Sequence, residues 1–130
     1  MFIRGLVVLG LVLSAHSAVA QTPSRLAAEV ERYRQACDRG NMSGCSNLGG
    51  MYREGRGVAH DDTLAVRFFR RACDGGNTMG CYFLGEMYVN GRGVARDSVR
   101  AAQVFQQACD GGLASGCVES RRISPPPKPQ

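Results

Sequence analysis

Lysine and histidine are almost absent from this chain of 130 residues, and the shortage removes several chemistries before any fold is considered. The single lysine is Lys128, and Pro125 stands three residues before it, so the Ser-x-x-Lys pair of a serine acylase of the β-lactamase kind cannot be assembled. Histidine occurs only at His16 and His60. Metal-dependent hydrolysis draws on several imidazoles or their equivalents around an open zinc site, and a Ser-His-Asp set would have to be built around His60 with no nucleophile-elbow motif beside it. Closely spaced thiols are also missing: no C-x-x-C redox pair occurs, and none of the six cysteines has a partner at the two-to-four spacing usual for zinc thiolates. No metal site and no cofactor is expected. The Gly55-Arg56-Gly57 and Gly91-Arg92-Gly93 stretches lack the longer fingerprint of a phosphate loop and read as tight turns. Long apolar runs are lacking as well. The stretch from Leu6 to Leu13 is shorter than the about 20 residues a spanning helix needs, and no later segment qualifies, so no transmembrane segment is expected.

What the beginning of the chain does have is the layout of a secretory signal peptide. Arg4 precedes the apolar run, and Ala18-Val19-Ala20 precedes Gln21, which predicts a leader over 1–20 with cleavage after Ala20 and an exported protein, periplasmic or secreted. A first mature residue of Gln21 rather than cysteine argues against a lipid anchor. The formal charge of +5 comes from 16 Lys and Arg against 11 Asp and Glu, nearly all of the positive charge being arginine, and it falls by one when Arg4 leaves. So small an excess, spread over an exported chain, points to no nucleic-acid partner and leaves an anionic envelope surface open.

The organising feature is a repeat. CDRGNMSGC runs from Cys37 to Cys45, CDGGNTMGC from Cys73 to Cys81 and CDGGLASGC from Cys109 to Cys117, each displaced by thirty-six positions from the last. Two cysteines eight apart on one unbroken helix would be separated by about 12 Å, beyond the about 7 Å that a disulfide tolerates between Cα atoms. A bridge therefore requires the chain to reverse between them. Gly40, Gly76 and Gly112 stand where a helix would stop, and Asn41 and Asn77 are suited to cap the next one. An even cysteine count in an exported chain reads as a disulfide framework; about 15 pairings are possible for six cysteines, and self-contained hairpins select Cys37 with Cys45, Cys73 with Cys81, and Cys109 with Cys117.

In chain order, Thr22-Pro23 is the expected start of the first helix, carrying Leu26, Val30, Tyr33 and Cys37 at helical spacing. Leu48, Met51 and Tyr52 mark the second helix, which runs out at Gly55. Asp61 caps a third with Ala65, Phe68, Phe69 and Ala72 on one face. The next copy repeats these features through Leu84, Gly85, Met87 and Tyr88. The third copy keeps Ala101, Phe105 and Ala108, then places Ser120, Arg121 and Ser124 where the stripe calls for leucine, glycine and tyrosine, which predicts a polar terminal cap. Residues 125–130, with Pro125 to Pro127 and Pro129, are expected to form a tail without a packed core.

From Gly44 through Leu48, Gly49, Tyr52, Gly55, Gly57 and Val58 to Asp61, and again from Gly80 through Leu84, Gly85, Tyr88, Gly91, Gly93 and Val94 to Asp97, the chain resembles the Sel-one-like repeat, an α/α relative of the tetratricopeptide repeat. The cysteine pair in every unit resembles the Helicobacter cysteine-rich branch of that family. The expected fold is therefore all-α, an α/α solenoid of disulfide-stapled helical hairpins with repeats over about 22–58, 59–94 and 95–124. The resemblance implies a scaffold for protein interaction, and some members of the branch have been assigned penicillin binding or β-lactamase activity. It also implies that the first helix of each hairpin lines a concave groove. Away from its aromatic face that helix carries Glu31, Arg34 and Gln35, then Arg67, Arg70 and Arg71, then Gln103, Gln106 and Gln107. Arg34, Arg67, Arg70, Arg71, Gln103 and Gln106 are the candidate contacts for a protein or peptide, the arginines pairing with carboxylates or stacking on aromatic rings. No residue is assigned a catalytic role, and His60 is expected to be an ordinary solvated side chain.

Overall fold

The computed structural model describes residues 23–124 and 128–130. Six helices follow in order: α1 (Arg25–Asp38), α2 (Met42–Glu54), α3 (Asp62–Asp74), α4 (Thr78–Asn90), α5 (Ser98–Asp110) and α6 (Ala114–Ile123). They pair into three hairpins, α1 with α2, α3 with α4 and α5 with α6, and each first helix also packs on the second helix of the hairpin before it. The leader expected over 1–20, Gln21 and Thr22, and the run Pro125 to Pro127 lie outside the described residues. The first helix starts later than expected. Ser24 caps it by accepting from the Ala27 amide, and Pro23 stands ahead of the cap rather than inside the helix.

The hairpin corner is built from two helix-ending devices that share a residue. Gly40, at φ 88°, donates its amide to Cys37, and Asn41 donates to Ala36, the paired bonds that close a helix in the left-handed C′ conformation. Asn41 then turns to the next helix and accepts from the Gly44 amide with its side chain. The second corner repeats this with Gly76 at φ 87° and Asn77, and the third repeats the backbone bonds alone, with Gly112 at φ 98° and Leu113. Reversal within so few residues brings the cysteines of each pair to Cα separations of 4.5, 4.4 and 4.5 Å, and disulfides join Cys37 to Cys45, Cys73 to Cys81 and Cys109 to Cys117. Closing so small a loop removes about 2 to 3 kcal/mol of unfolded-state freedom at each bridge.

Between hairpins, packing depends on a small residue facing a large one. Phe69, fully buried, lies across Gly49, and Phe105, 1% exposed, lies across Gly85. Leu48, Leu84, Met51, Met87, Tyr52 and Tyr88 complete the core on the second helices, with Ala65, Val66, Ala101 and Ala108 facing them. Arg53 from α2 bridges to α4: its guanidinium lies 4.5 Å from the Phe83 ring centroid and 3.1 Å from a Glu86 carboxylate oxygen.

The last hairpin departs from the repeat at positions that the first two hold in common. Arg121 takes the position of Gly49 and Gly85, so the gap that admits an aromatic ring from a following helix is closed, and Arg121 and Ser124 are exposed. Ser120, the counterpart of Leu48 and Leu84, turns inward. It is 5% exposed, and its one hydroxyl proton is shared between the Gln106 side-chain oxygen at 3.0 Å and the Ala102 carbonyl at 3.4 Å. A buried hydroxyl is tolerated there because a buried polar group with hydrogen-bond partners escapes most of its desolvation cost.

A pair of substitutions on α2 tests the packing. A Cβ added at Gly49 would meet the Phe69 ring at 2.7 Å, whereas one at Gly50 meets nothing within 4 Å. Gly49→Ala is expected to lower the unfolding free energy of the oxidised protein by about 1 to 3 kcal/mol, and Gly50→Ala to raise it by about 0.5 to 1 kcal/mol, in denaturant titrations.

Candidate interaction surface

The thirty-six-residue register places side chains of the first helices in matching positions, and their partners repeat with them. Arg34 donates to the Tyr52 hydroxyl at 3.1 Å, and Arg70 donates to the Tyr88 hydroxyl at 3.0 Å. Each guanidinium thus reaches from a first helix to the last turn of its own hairpin's second helix, where it is held in one orientation instead of sweeping through solvent. The third position in this series breaks the pattern, because Ser124 occupies the register position of Tyr52 and Tyr88. Gln106 donates to Asp110 at 2.8 Å and accepts from Ser120, and so belongs to the terminal edge.

Arg71 has a different task. It donates to the Cys37 carbonyl at 3.1 Å and lies 3.9 Å from Asp38, tying α3 to the corner of the first hairpin. Its counterpart Gln107 lies over the second bridge, with Oε1 at 3.1 Å from Cys73 Sγ and 3.7 Å from Cys81 Sγ. A bridged sulfur has no proton to donate, so this contact is made with the amide turned either way. Arg67 is exposed, and no hydrogen bond joins it to another described residue. Among the six candidate contacts, the structure therefore brings Arg70 and Gln103 together, holds Arg34 within its own hairpin and Arg71 on the first hairpin's corner, leaves Arg67 exposed and sets Gln106 apart.

Arg70 and Gln103 meet in a groove of about 290 Å³ between α3 and α5, lined also by Asp74, Arg100 and Gln107 and floored by Leu84, Tyr88 and Val104. The equivalent place between α1 and α3 is filled, because Phe68 stacks on Tyr52 with ring centroids 5.6 Å apart and planes inclined by 8°. Val104 stands where Phe68 would be, and its smaller side chain leaves the space beside Tyr88 open. Reading the face of each first helix located the arginines but missed this groove. The signal for it was the replacement of Phe68 by Val104 one period later.

His60 is half-exposed but engaged. Its Nε2 lies 3.0 Å from Asp62, which also receives two hydrogen bonds from Arg92, at 2.9 and 3.1 Å. Burial pushes the Asp62 carboxyl up, yet the hydrogen bonds and charge of Arg92 with those of His60 outweigh it and hold the group below its ordinary range. The cluster fastens the Gly91-Arg92-Gly93 turn to the start of α3, with Gly91 at φ 61° and Gly93 at φ 66°. Among the described residues no group of three or more His, Cys, Asp or Glu is placed to hold a metal ion, and no helix is long and apolar enough to cross a membrane.

The family model for the Sel1 repeat matches residues 43–77 and 78–113. The chain belongs to the Sel1 repeat family. Solved structures similar to this Sel1-repeat chain include a protective antigen of uropathogenic Escherichia coli displaying an SLR fold, with 36% identity and a TM-score of 0.68 over 70% of this chain and 20% of that one. Helicobacter pylori cysteine rich protein B is 29% identical with a TM-score of 0.67, covering 68% of this chain and 67% of that one. A Sel1 repeat protein from Oxalobacter formigenes, 22% identical with a TM-score of 0.69 over 72% of this chain and 39% of that one, shares the fold. No curated protein matches the sequence.

The Asp62 cluster carries a test of its own. A carboxyl held low in the folded state contributes stability above its unfolded pKa and loses it as pH falls through the folded value. Asp62→Asn is expected to cost about 0.5 to 1 kcal/mol near neutral pH, with the difference from the parent vanishing below the carboxylate range, measured by urea unfolding at both pH values.

Proposed function

We propose that this chain is an exported scaffold that holds a protein or peptide segment and performs no chemistry on it. The observation that carries the proposal is the groove between α3 and α5, where Arg70 is oriented by the Tyr88 hydroxyl and faces Gln103 and Gln107 across an apolar floor. A guanidinium already fixed in place loses less freedom when it pairs with a carboxylate, and side-chain amides on the opposite wall match the peptide backbone in both donor and acceptor. Arg67, unengaged and adjacent on α3, extends the same charged edge.

Export is supported by the leader pattern of residues 1–20 and by three bridges of the kind that persist in oxidising compartments. The Escherichia coli protein is described as a protective antigen, which fits a family member reaching the outside of a cell. The shortage of lysine and histidine leaves the β-lactam alternative without a nucleophile and base pair among the residues described.

The test is capture of partners from an envelope extract by the oxidised protein, beside the Arg67→Ser/Arg70→Ser variant. The variant is expected to retain its helical spectrum and to bind a captured partner at least about tenfold more weakly, the scale of a typical arginine anchor. Unchanged capture removes the groove as the binding face, and turnover of nitrocefin by the parent protein replaces the scaffold with an enzyme.

A further inference from the structure

The three bridges have the same chemistry and three different settings. Cys37 and Cys45 are both 0% exposed, with Met42 and Phe68 packed on them and Arg71 of the next hairpin reaching over their corner. Cys73 and Cys81 are 5% and 3% exposed. They form part of the wall of a cavity of about 440 Å³, but Gln107 of the next hairpin lies across their sulfurs. Cys109 and Cys117 are partly exposed, unlike the four cysteines of the first two bridges.

A second observation separates the same hairpin from the others. Asn41 and Asn77 cap α2 and α4 with side-chain hydrogen bonds, whereas Leu113 offers none to α6. α6 has 10 residues against 13 in α2 and α4, and it packs chiefly on α5. A short helix with an uncapped start and one main neighbour opens at lower free energy than an element held on two sides.

We infer that the Cys109–Cys117 bridge is a thiol–disulfide exchange site, open to a dithiol reductant while the other two bridges stay closed. A thiolate of the reductant attacks one sulfur of the bridge; a mixed disulfide forms as the Cys109–Cys117 bond breaks, and the electron pair leaves on the other cysteine, which takes a proton from water. The second thiol of the reductant then displaces the mixed disulfide. The products are two thiols on this chain and one disulfide on the reductant, a two-electron transfer. The inference rests on burial and capping and is independent of what the α3–α5 groove binds.

The test uses the full oxidised chain without denaturant, exposed to graded dithiothreitol, quenched with N-ethylmaleimide and mapped by peptide mass. Cys109 and Cys117 are expected to be labelled first, about tenfold faster or more than any other pair, the ratio produced by about 1.4 kcal/mol of extra opening free energy. Cys73 and Cys81 should follow, and Cys37 and Cys45 come last. Simultaneous labelling of all three pairs, or a different first pair, overturns the inference. Gln107→Ala should speed labelling of Cys73 and Cys81 without changing that of Cys37 and Cys45; an unchanged rate shows that side-chain cover does not set the order, and the inference falls with it.

Discussion

Antiparallel helices joined by a few residues stay together only if the chain can leave one helix and enter the next without stranding backbone donors and acceptors. In this protein the corner solves that problem with one glycine and one asparagine. The left-handed glycine lets the last carbonyls of the first helix find amides, and in the first two corners the asparagine that donates the final bond also accepts an amide from the first turn of the next helix, that of its third residue. The cysteines flanking this turn are then close enough to bridge. Each hairpin is thereby held together within itself, which matters because a chain of this size buries a limited core.

These hairpins pack by shape. Gly49 and Gly85 are flat places on the second helices, and Phe69 and Phe105 lie on them, so every junction repeats with the same register. That register is what turns single side chains into rows. Arg34 and Arg70 meet tyrosines at the same offset because the units are the same, and departures from the pattern become visible as features: Val104 opens a groove where Phe68 fills one, and Arg121 stands where Gly49 and Gly85 each receive a ring.

Much of this was legible in the residues. The period, the corners, the caps Asn41, Asn77 and Asp61, the exit turns at Gly55 and Gly91 and the all-α solenoid followed from spacing and from the conformational needs of particular residue types. Other features were not. Ser24, not the expected Thr22, caps α1, since both hydroxyl residues are able to cap and only the helix phase chooses between them. Ser120 turned inward because its position belongs to the core stripe, whatever its polarity, and because Gln106 and Ala102 supply partners that lie far from it in sequence.

What the amino-acid order determined by itself is local: where helices begin and stop, which residues face one side, and how often the unit recurs. These follow from interactions within a few residues along the chain, so they are written wherever the residues are. What only the tertiary structure decided is which side chains from different hairpins share a place. Whether Arg70 meets Gln103 across open space, whether His60 joins Arg92 through Asp62, and which bridge is left uncovered all depend on the fit of one helix against another, a property of volumes and distances that no single stretch of the chain contains.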